Sequence, residues 1–237
     1  MKRLSIVIPA YNEEVFIETL LKTILAVDTE SLGFEKEIIV VNDGSGDGTA
    51  DAVRHFSSVT LIDQRNRGKG AAVQRGISEA SGDFILVQDA DLEYEPADYR
   101  PMLEAILAGA TCVYGSRTLG QLRALGWTAT PGRHSKQSLG PWLAGGILSI
   151  FTFLLYGVWI SDTLTAYKLY PRSVFDWMKI KTHGFETDHE ITAKLIRAGI
   201  RIKDVPISYH PRSVEEGKKI KASDGLMAIW TLVRFRL

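Results

Sequence analysis

Asp89 and Asp91 stand one residue apart just after an apolar stretch, residues 84–88, and Glu93 follows two positions on. Paired carboxylates in that position suit a hard divalent cation. Mg²⁺ and Mn²⁺ take carboxylate oxygens together with substrate phosphate oxygens, and neutralise charge on a departing diphosphate. By itself Asp-Ala-Asp reads equally as a turn or a helix start, where aspartate caps free N–H groups. Its company argues for chemistry. Asp43-Gly44-Ser45-Gly46-Asp47-Gly48-Thr49 follows Ile38-Ile39-Val40-Val41. Its glycines permit close approach to a ligand, and Asp43 can accept hydrogen bonds from a base edge or ribose. A calcium loop would need a bidentate carboxylate at its end and flanking helices, which this segment lacks.

Cations supply the complement. Arg212 and Lys218 stand six apart in His210-Pro211-Arg212-Ser213-Val214-Glu215-Glu216-Gly217-Lys218-Lys219. A planar guanidinium fork and a mobile ammonium can together clamp a diphosphate and an incoming phosphate. The competing reading is a solvated basic loop before a helix. Arg67 and Lys69, beside Gly68 and Gly70, could face phosphates from a helix N-terminus. His183 and His189 bracket Glu186 and Asp188, but the spacing matches no common zinc pattern, and helical solvent exposure accounts for His189 equally well.

The elements that must position these groups follow a β-α-β-α pattern. Short apolar runs rich in β-branched residues at 4–9, 37–42, 59–62, 84–88 and 111–114 predict strands. Phe16, Ile17, Leu20, Leu21, Ile24 and Leu25 repeat at helical spacing, as do Met102, Leu103, Ile106 and Leu107 after Pro96 and Asp98. The expected fold is α/β, a mostly parallel sheet flanked by helices. Ligands of such sheets bind beyond the carboxyl ends of the strands. Tyr11-Asn12-Glu13, the Asp43 loop, Asp89-Ala90-Asp91 and Ser116-Arg117 all fall there.

Length of 237 residues fits one domain spanning 1–237. Net charge is zero, yet residues 1–116 carry 10 Lys+Arg against 19 Asp+Glu and the remainder 18 against 9. An acidic half can hold a cation while a basic half holds anionic groups. A lone Cys112 in an apolar run predicts a core thiol in a reducing compartment. The seven apolar or small residues after Met1-Lys2-Arg3 are too few for a signal peptide, so a cytoplasmic location is expected. Residues 137–161 contain no charge, which is long enough to span a bilayer, but Gly140-Pro141 and Gly145-Gly146 interrupt them. The preferred expectation is a helix or helical hairpin lying on the membrane face, with its Trp residues and Lys136 at the interface; buried core and a span are the alternatives.

The stretches Ile6-Val7-Ile8-Pro9-Ala10-Tyr11-Asn12-Glu13-Glu14, the Asp43 loop, Gly68-Lys69-Gly70-Ala71-Ala72 and Asp89-Ala90-Asp91 resemble glycosyltransferase family 2. Val113 to Arg117, Asp162 to Lys168, Phe185-Glu186 and Val205-Pro206-Ile207 resemble its branch of dolichol-phosphate mannosyltransferases and glucosyltransferases. The resemblance covers almost the whole chain and implies a GT-A fold, with a donor half at 1–117 and an acceptor half at 118–237. It implies that Pro9, Tyr11, Glu13, Val41, Asp43, Asp89, Ala90, Asp91, Glu93 and Arg117 bind nucleotide, metal or diphosphate, with Asp89, Asp91 and Glu93 on Mg²⁺ or Mn²⁺. Glu93 departs from the Gln or Ser often found in mannosyltransferases of the branch. The Arg212 to Lys218 element is similar to the branch's Arg-x-x-Gly-Glu-Ser-Lys with its middle altered.

The function implied is inverting transfer of mannose or glucose from a GDP- or UDP-linked sugar to a polyprenyl phosphate, dolichyl or undecaprenyl. Asp91, Arg117, Arg212 and Lys218 would carry the catalysis. Leu226, Ile229, Trp230, Val233 and Leu237 share a helical face that adds to the membrane-facing surface. Further C-terminal hydrophobic helices of some relatives are not expected, so firmer anchoring would come from lipid or a membrane-protein partner. Nucleic acid is not an expected partner. A saccharide hydroxyl acceptor is the alternative; it would need a general base, with Asp188, Glu186 or Asp162 as candidates. A non-catalytic nucleotide-sugar-binding subunit is the reading from another class.

Overall fold

A computed structural model describes residues 1–126, 130–134, 139–211 and 222–237. Its strands are β1 (Lys2–Ala10), β2 (Phe34–Asp43), β3 (Val59–Gln64), β4 (Phe84–Val87), β5 (Cys112–Ser116), β6 (Lys168–Pro171) and β7 (Ile202–Pro206). Its helices are α1 (Glu14–Ala26), α2 (Thr49–Arg54), α3 (Lys69–Glu79), α4 (Tyr99–Leu107), α5 (Arg117–Leu125), α6 (Leu139–Tyr156), α7 (Val174–Trp177), α8 (Thr187–Arg197) and α9 (Ala222–Arg236).

The strands form one sheet in the order β3-β2-β1-β4-β6-β5-β7. Strands β1 to β4 are mutually parallel, β6 runs antiparallel to both β4 and β5, and β7 is parallel to β5. The five predicted strands are all present, so the fold is the mostly parallel sheet expected. Strands β6 and β7 are additions, and both come from residues 118–237. The sheet therefore does not divide at residue 117.

Alternation along β1 and β2 sorts side chains to two faces, as a period of two requires. Leu4, Ile6, Ile8, Ile38 and Val40 point to one side, where α1 buries Ile17, Leu20, Leu21 and Ile24 and α4 buries Met102, Leu103 and Ile106. Val7, Ile39 and Val41 point to the other, beneath Ala72, Val73 and Ile77 of α3 and Ile191 and Leu195 of α8. Each such side chain contributes about 2 kcal/mol by leaving water. Burial on both faces explains the unbroken apolar runs that betrayed these strands. Cys112 lies in this second layer, fully buried, and burial pushes its thiol up to about 12, which fits a core role.

Residues 139–156 form one continuous helix rather than a hairpin. Pro141 falls in the first turn, where no N–H partner is lost, and Gly145-Gly146 pass without a break. At 1.5 Å per residue its 18 residues reach about 27 Å, short of the hydrocarbon thickness. Among the described residues no helix is long and apolar enough to cross a membrane. Leu148 of α6, Ala193 of α8, and Ala228, Leu232 and Phe235 of α9 form a third cluster that docks α6 and α9 onto α8. The opposite faces expose Leu143, Ile147, Ile150, Phe153 and Leu154 of α6 and Leu226 and Trp230 of α9. Lys136 and Gln137 lie outside the described residues.

Candidate active site

Four chain segments meet in a cleft of about 300 Å³ at the carboxyl ends of β1 to β4. Pro9, Tyr11 and Glu13 enter from β1, Asp43 from β2, Asn66, Gly68 and Lys69 from the turn after β3, and Asp89, Ala90, Asp91 and Glu93 from β4, with Phe185 closing one side. The loops after β1 and β2 are laced together. Asn12, in the left-handed region at φ 52°, accepts from the Gly46 N–H through Oδ1 while its own N–H donates to Ser45 Oγ. The Glu13 N–H donates to Thr49 Oγ1, and the Gly48 N–H to Glu14 Oε2.

Asp43 is 3% exposed and builds the cleft from within. Its carboxylate accepts from Gln64 Nε2 and from the backbone N–H groups of Arg67 and Gly68, at 2.7–2.9 Å. Three of its roughly four acceptor positions are thereby engaged. Its main service is to fix the loop that starts α3. Val41, expected to touch nucleotide, is fully buried in the second core layer, and its side chain is not part of the cleft lining. Ala90 is buried but lines the cleft.

Gly70 lets the N-terminus of α3 press against residues 183–187. A Cβ there would stand 1.9 Å from Thr187 Oγ1 and 2.7 Å from the Gly184 carbonyl. The Ala71 N–H donates to the His183 carbonyl across that contact. Lys69, one residue earlier, turns its ammonium onto Asp89 Oδ1 at 2.5 Å and lies 5.6 Å from the centre of the Phe185 ring. Burial works against the charged form of Lys69, but Asp89, Asp188 and Asp91 outweigh it and raise its pKa. Lys69 therefore sits on a carboxylate.

Asp91 Oδ1 accepts from the Glu93 N–H at 3.0 Å, and Glu93 Oε2 accepts from Tyr209 Oη at 3.0 Å. Among the described residues no three His, Cys, Asp or Glu side chains converge as a metal cage. Asp89, Asp91 and Glu93, the trio expected from sequence, all line the cleft, and Glu93 also meets Tyr209. Two carboxylates still fit a cation that completes its shell with diphosphate oxygens.

Arg117 does not line this cleft. Its Nε and Nη2 grip Asp162 at 2.7 and 2.8 Å, and its backbone N–H donates to the same carboxylate at 3.1 Å. Its guanidinium lies 4.9 Å from the centre of the Tyr209 ring. Burial opposes its charge, yet Asp162 more than compensates and holds its pKa above the ordinary arginine value. Arg117 and Asp162 help line a second cleft of about 290 Å³, whose wall includes Trp142, Leu143, Ile147 and Ile150 of α6 and Trp159. Glu93–Tyr209–Arg117 is the bridge between the two clefts. Tyr209, a link missed in the sequence, adjoins the His210 element whose remaining candidates, Arg212 and Lys218, lie outside the described residues.

The acid/base candidates separate clearly. Asp162 is committed to Arg117, Glu186 accepts from the Gly184 N–H, and Asp188 stands 3.6 Å from the fully buried ammonium of Lys168. His189 is not solvent-exposed but 4% exposed, with neither ring nitrogen hydrogen-bonded. Burial, with Lys168 adding to it and Asp188 opposing, lowers its pKa from 6.5 to about 4. The unfolded chain thus takes up this proton first as pH falls. His189 contributes fully above the unfolded value, and that contribution is lost on descending toward the folded one, by about 3 kcal/mol in all. Urea unfolding at about pH 7 and pH 4 should show a smaller acid loss in His189→Leu than in the wild type; equal losses would remove His189 as a cause.

Glycosyl transferase family 2 matches residues 5–175. The chain belongs to that family. A dolichyl-phosphate beta-glucosyltransferase of Trichomonas vaginalis is 28% identical over 246 residues, covering 99% of this chain and 73% of the relative. A dolichol-phosphate mannosyltransferase of Pyrococcus furiosus is 30% identical over 220 residues, covering 91% of this chain but 59% of the relative. Glucosyl-3-phosphoglycerate synthase from Mycobacterium tuberculosis, solved with Mn²⁺, UDP-glucose and phosphoglyceric acid, superposes with a TM-score of 0.72 at 19% identity over 99% of this chain and 80% of that one. At that identity the likeness is one of fold, and it places this family 2 chain in the GT-A architecture.

Proposed function

We propose that this family 2 chain transfers a hexose from a GDP- or UDP-linked sugar to a polyprenyl phosphate, inverting the anomeric carbon. The observation that carries the reading is the joining of two unlike clefts through Glu93, Tyr209 and Arg117. One, at the strand ends, is lined by the carboxylates of Glu13, Asp43, Asp89, Asp91 and Glu93; the other has the apolar side chains of α6 on its wall and the Arg117 guanidinium in its lining. A nucleoside diphosphate suits the first, and a lipid whose head is a phosphate suits the second. The names of the relatives agree.

The residues divide the work. Asp43 fixes the loop that starts α3, and the glycines at 68 and 70 let that loop pack against residues 183–187. Asp89 and Asp91 would hold Mg²⁺ or Mn²⁺, which when bound supplies neutralisation of the departing diphosphate. Glu93 is retained beside them by Tyr209. Arg117, braced by Asp162 through Nε and Nη2, would orient the acceptor phosphate. A phosphate is already ionised near neutral pH, so orientation and charge neutralisation replace a general base. Arg212 and Lys218 are assigned to close over the phosphates from the adjoining segment. The exposed apolar faces of α6 and α9 would rest on the membrane surface that holds the acceptor.

Product analysis tests the reading: purified protein is incubated with Mn²⁺ or Mg²⁺, a panel of UDP- and GDP-sugars and a short polyprenyl phosphate. A new glycolipid from one donor is the expected result. Donor binding without lipid product would point to saccharide acceptors, and no donor binding to a non-catalytic subunit.

A further inference from the structure

The carboxylate assigned to the metal already has a cation on it. Lys69 Nζ meets Asp89 Oδ1 at 2.5 Å, and the two side chains are only 18% and 24% exposed. The ammonium is carried on the first residue of α3, a position fixed by the Gly68 N–H on Asp43 and the Ala71 N–H on the His183 carbonyl. The neighbouring carboxylate, Asp188, faces Lys168 at 3.6 Å. Lys69 is thus anchored at its backbone and mobile only along its side chain.

We propose that Lys69 is an internal counter-ion on Asp89 that competes with the divalent cation for that carboxylate. The donor diphosphate then draws the ammonium onto its own oxygens and releases Asp89 to the metal. The inference rests on the donor-site reading above. Like charges at a shared carboxylate in a partly dehydrated cleft repel strongly, so metal alone binds against the lysine. A diphosphate reverses this, because it offers the lysine a second anionic partner. Metal and nucleotide therefore assist each other, and by linkage each raises the affinity of the other by the same factor. The order of loading is written into one side chain.

Mn²⁺ binding followed by electron paramagnetic resonance, with and without UDP or GDP, reads this directly. Lys69→Met should bind Mn²⁺ alone about tenfold more tightly than the wild type, and the extra affinity conferred by nucleotide should shrink by about the same factor. Lys69→Arg, which keeps the charge, should retain the coupling; Lys69→Gln serves if the Met variant unfolds. Tight nucleotide-dependent Mn²⁺ binding in the wild type with no gain in Lys69→Met or Lys69→Gln would overturn the counter-ion alone. No Mn²⁺ binding by the wild type, even with saturating UDP or GDP, would overturn the donor-site reading along with it.

Discussion

Replacing Asp91 with alanine is expected to lower the transfer rate by about 10³-fold, the scale on which preorganised charge stabilisation acts. The fold should survive. Asp91 is 8% exposed, and its Oδ1 accepts locally from the Glu93 N–H. Losing a bond of that kind costs about 1 kcal/mol, a small part of a domain's stability. Initial rates and thermal unfolding measured on the same preparation separate the two effects. A fully active Asp91→Ala protein would remove the carboxylate from the chemistry, whereas an unfolded one would make its role structural.

Arg117→Ala should do the reverse first, costing about 3 kcal/mol of stability, because it leaves the buried Asp162 carboxylate without its partner. Asp162 is 4% exposed on its side chain, and the pair is bidentate with a further backbone N–H. Removing both charges, in Arg117→Ala with Asp162→Ala, should recover much of the loss in urea unfolding. Transfer to lipid phosphate should stay depressed in the recovered protein, since the guanidinium in the lining of the second cleft is still missing. Stability restored together with full activity would reduce Arg117 to a brace.

Sequence made the strand-end cleft legible for a physical reason: β1, β2 and β4, which carry most of it, are largely buried on both faces and so are written as apolar runs. Strand β6, Lys168-Leu169-Tyr170-Pro171, escapes that rule because it places a lysine at 0% exposure and ends on proline. Strand β7, with Lys203 and Asp204 in five residues, escapes it likewise. The partnership of Arg117 with Asp162 spans 45 residues and has no local signature. The loop at Asp43 was visible, but the reach of its carboxylate to residues 64–68 was not, since that depends on β2 and β3 lying side by side. The helix at 139–156 was located correctly by its lack of charge. Its continuity was obscured by counting Pro141 as a break, when a first-turn proline is tolerated.

The antiparallel strand lodged between β4 and β5 has a consequence for biosynthesis. Until Lys168 to Pro171 have been synthesised, β4 is paired with β1 alone and leaves a row of backbone donors and acceptors open along its other edge, while β5 has no partner strand. Open edges of this kind recruit other chains, and pairings this distant in sequence close late. A ribosome carrying the half-made chain therefore holds a template for aggregation until it has translated past the second cleft, and chaperone demand should peak in that interval.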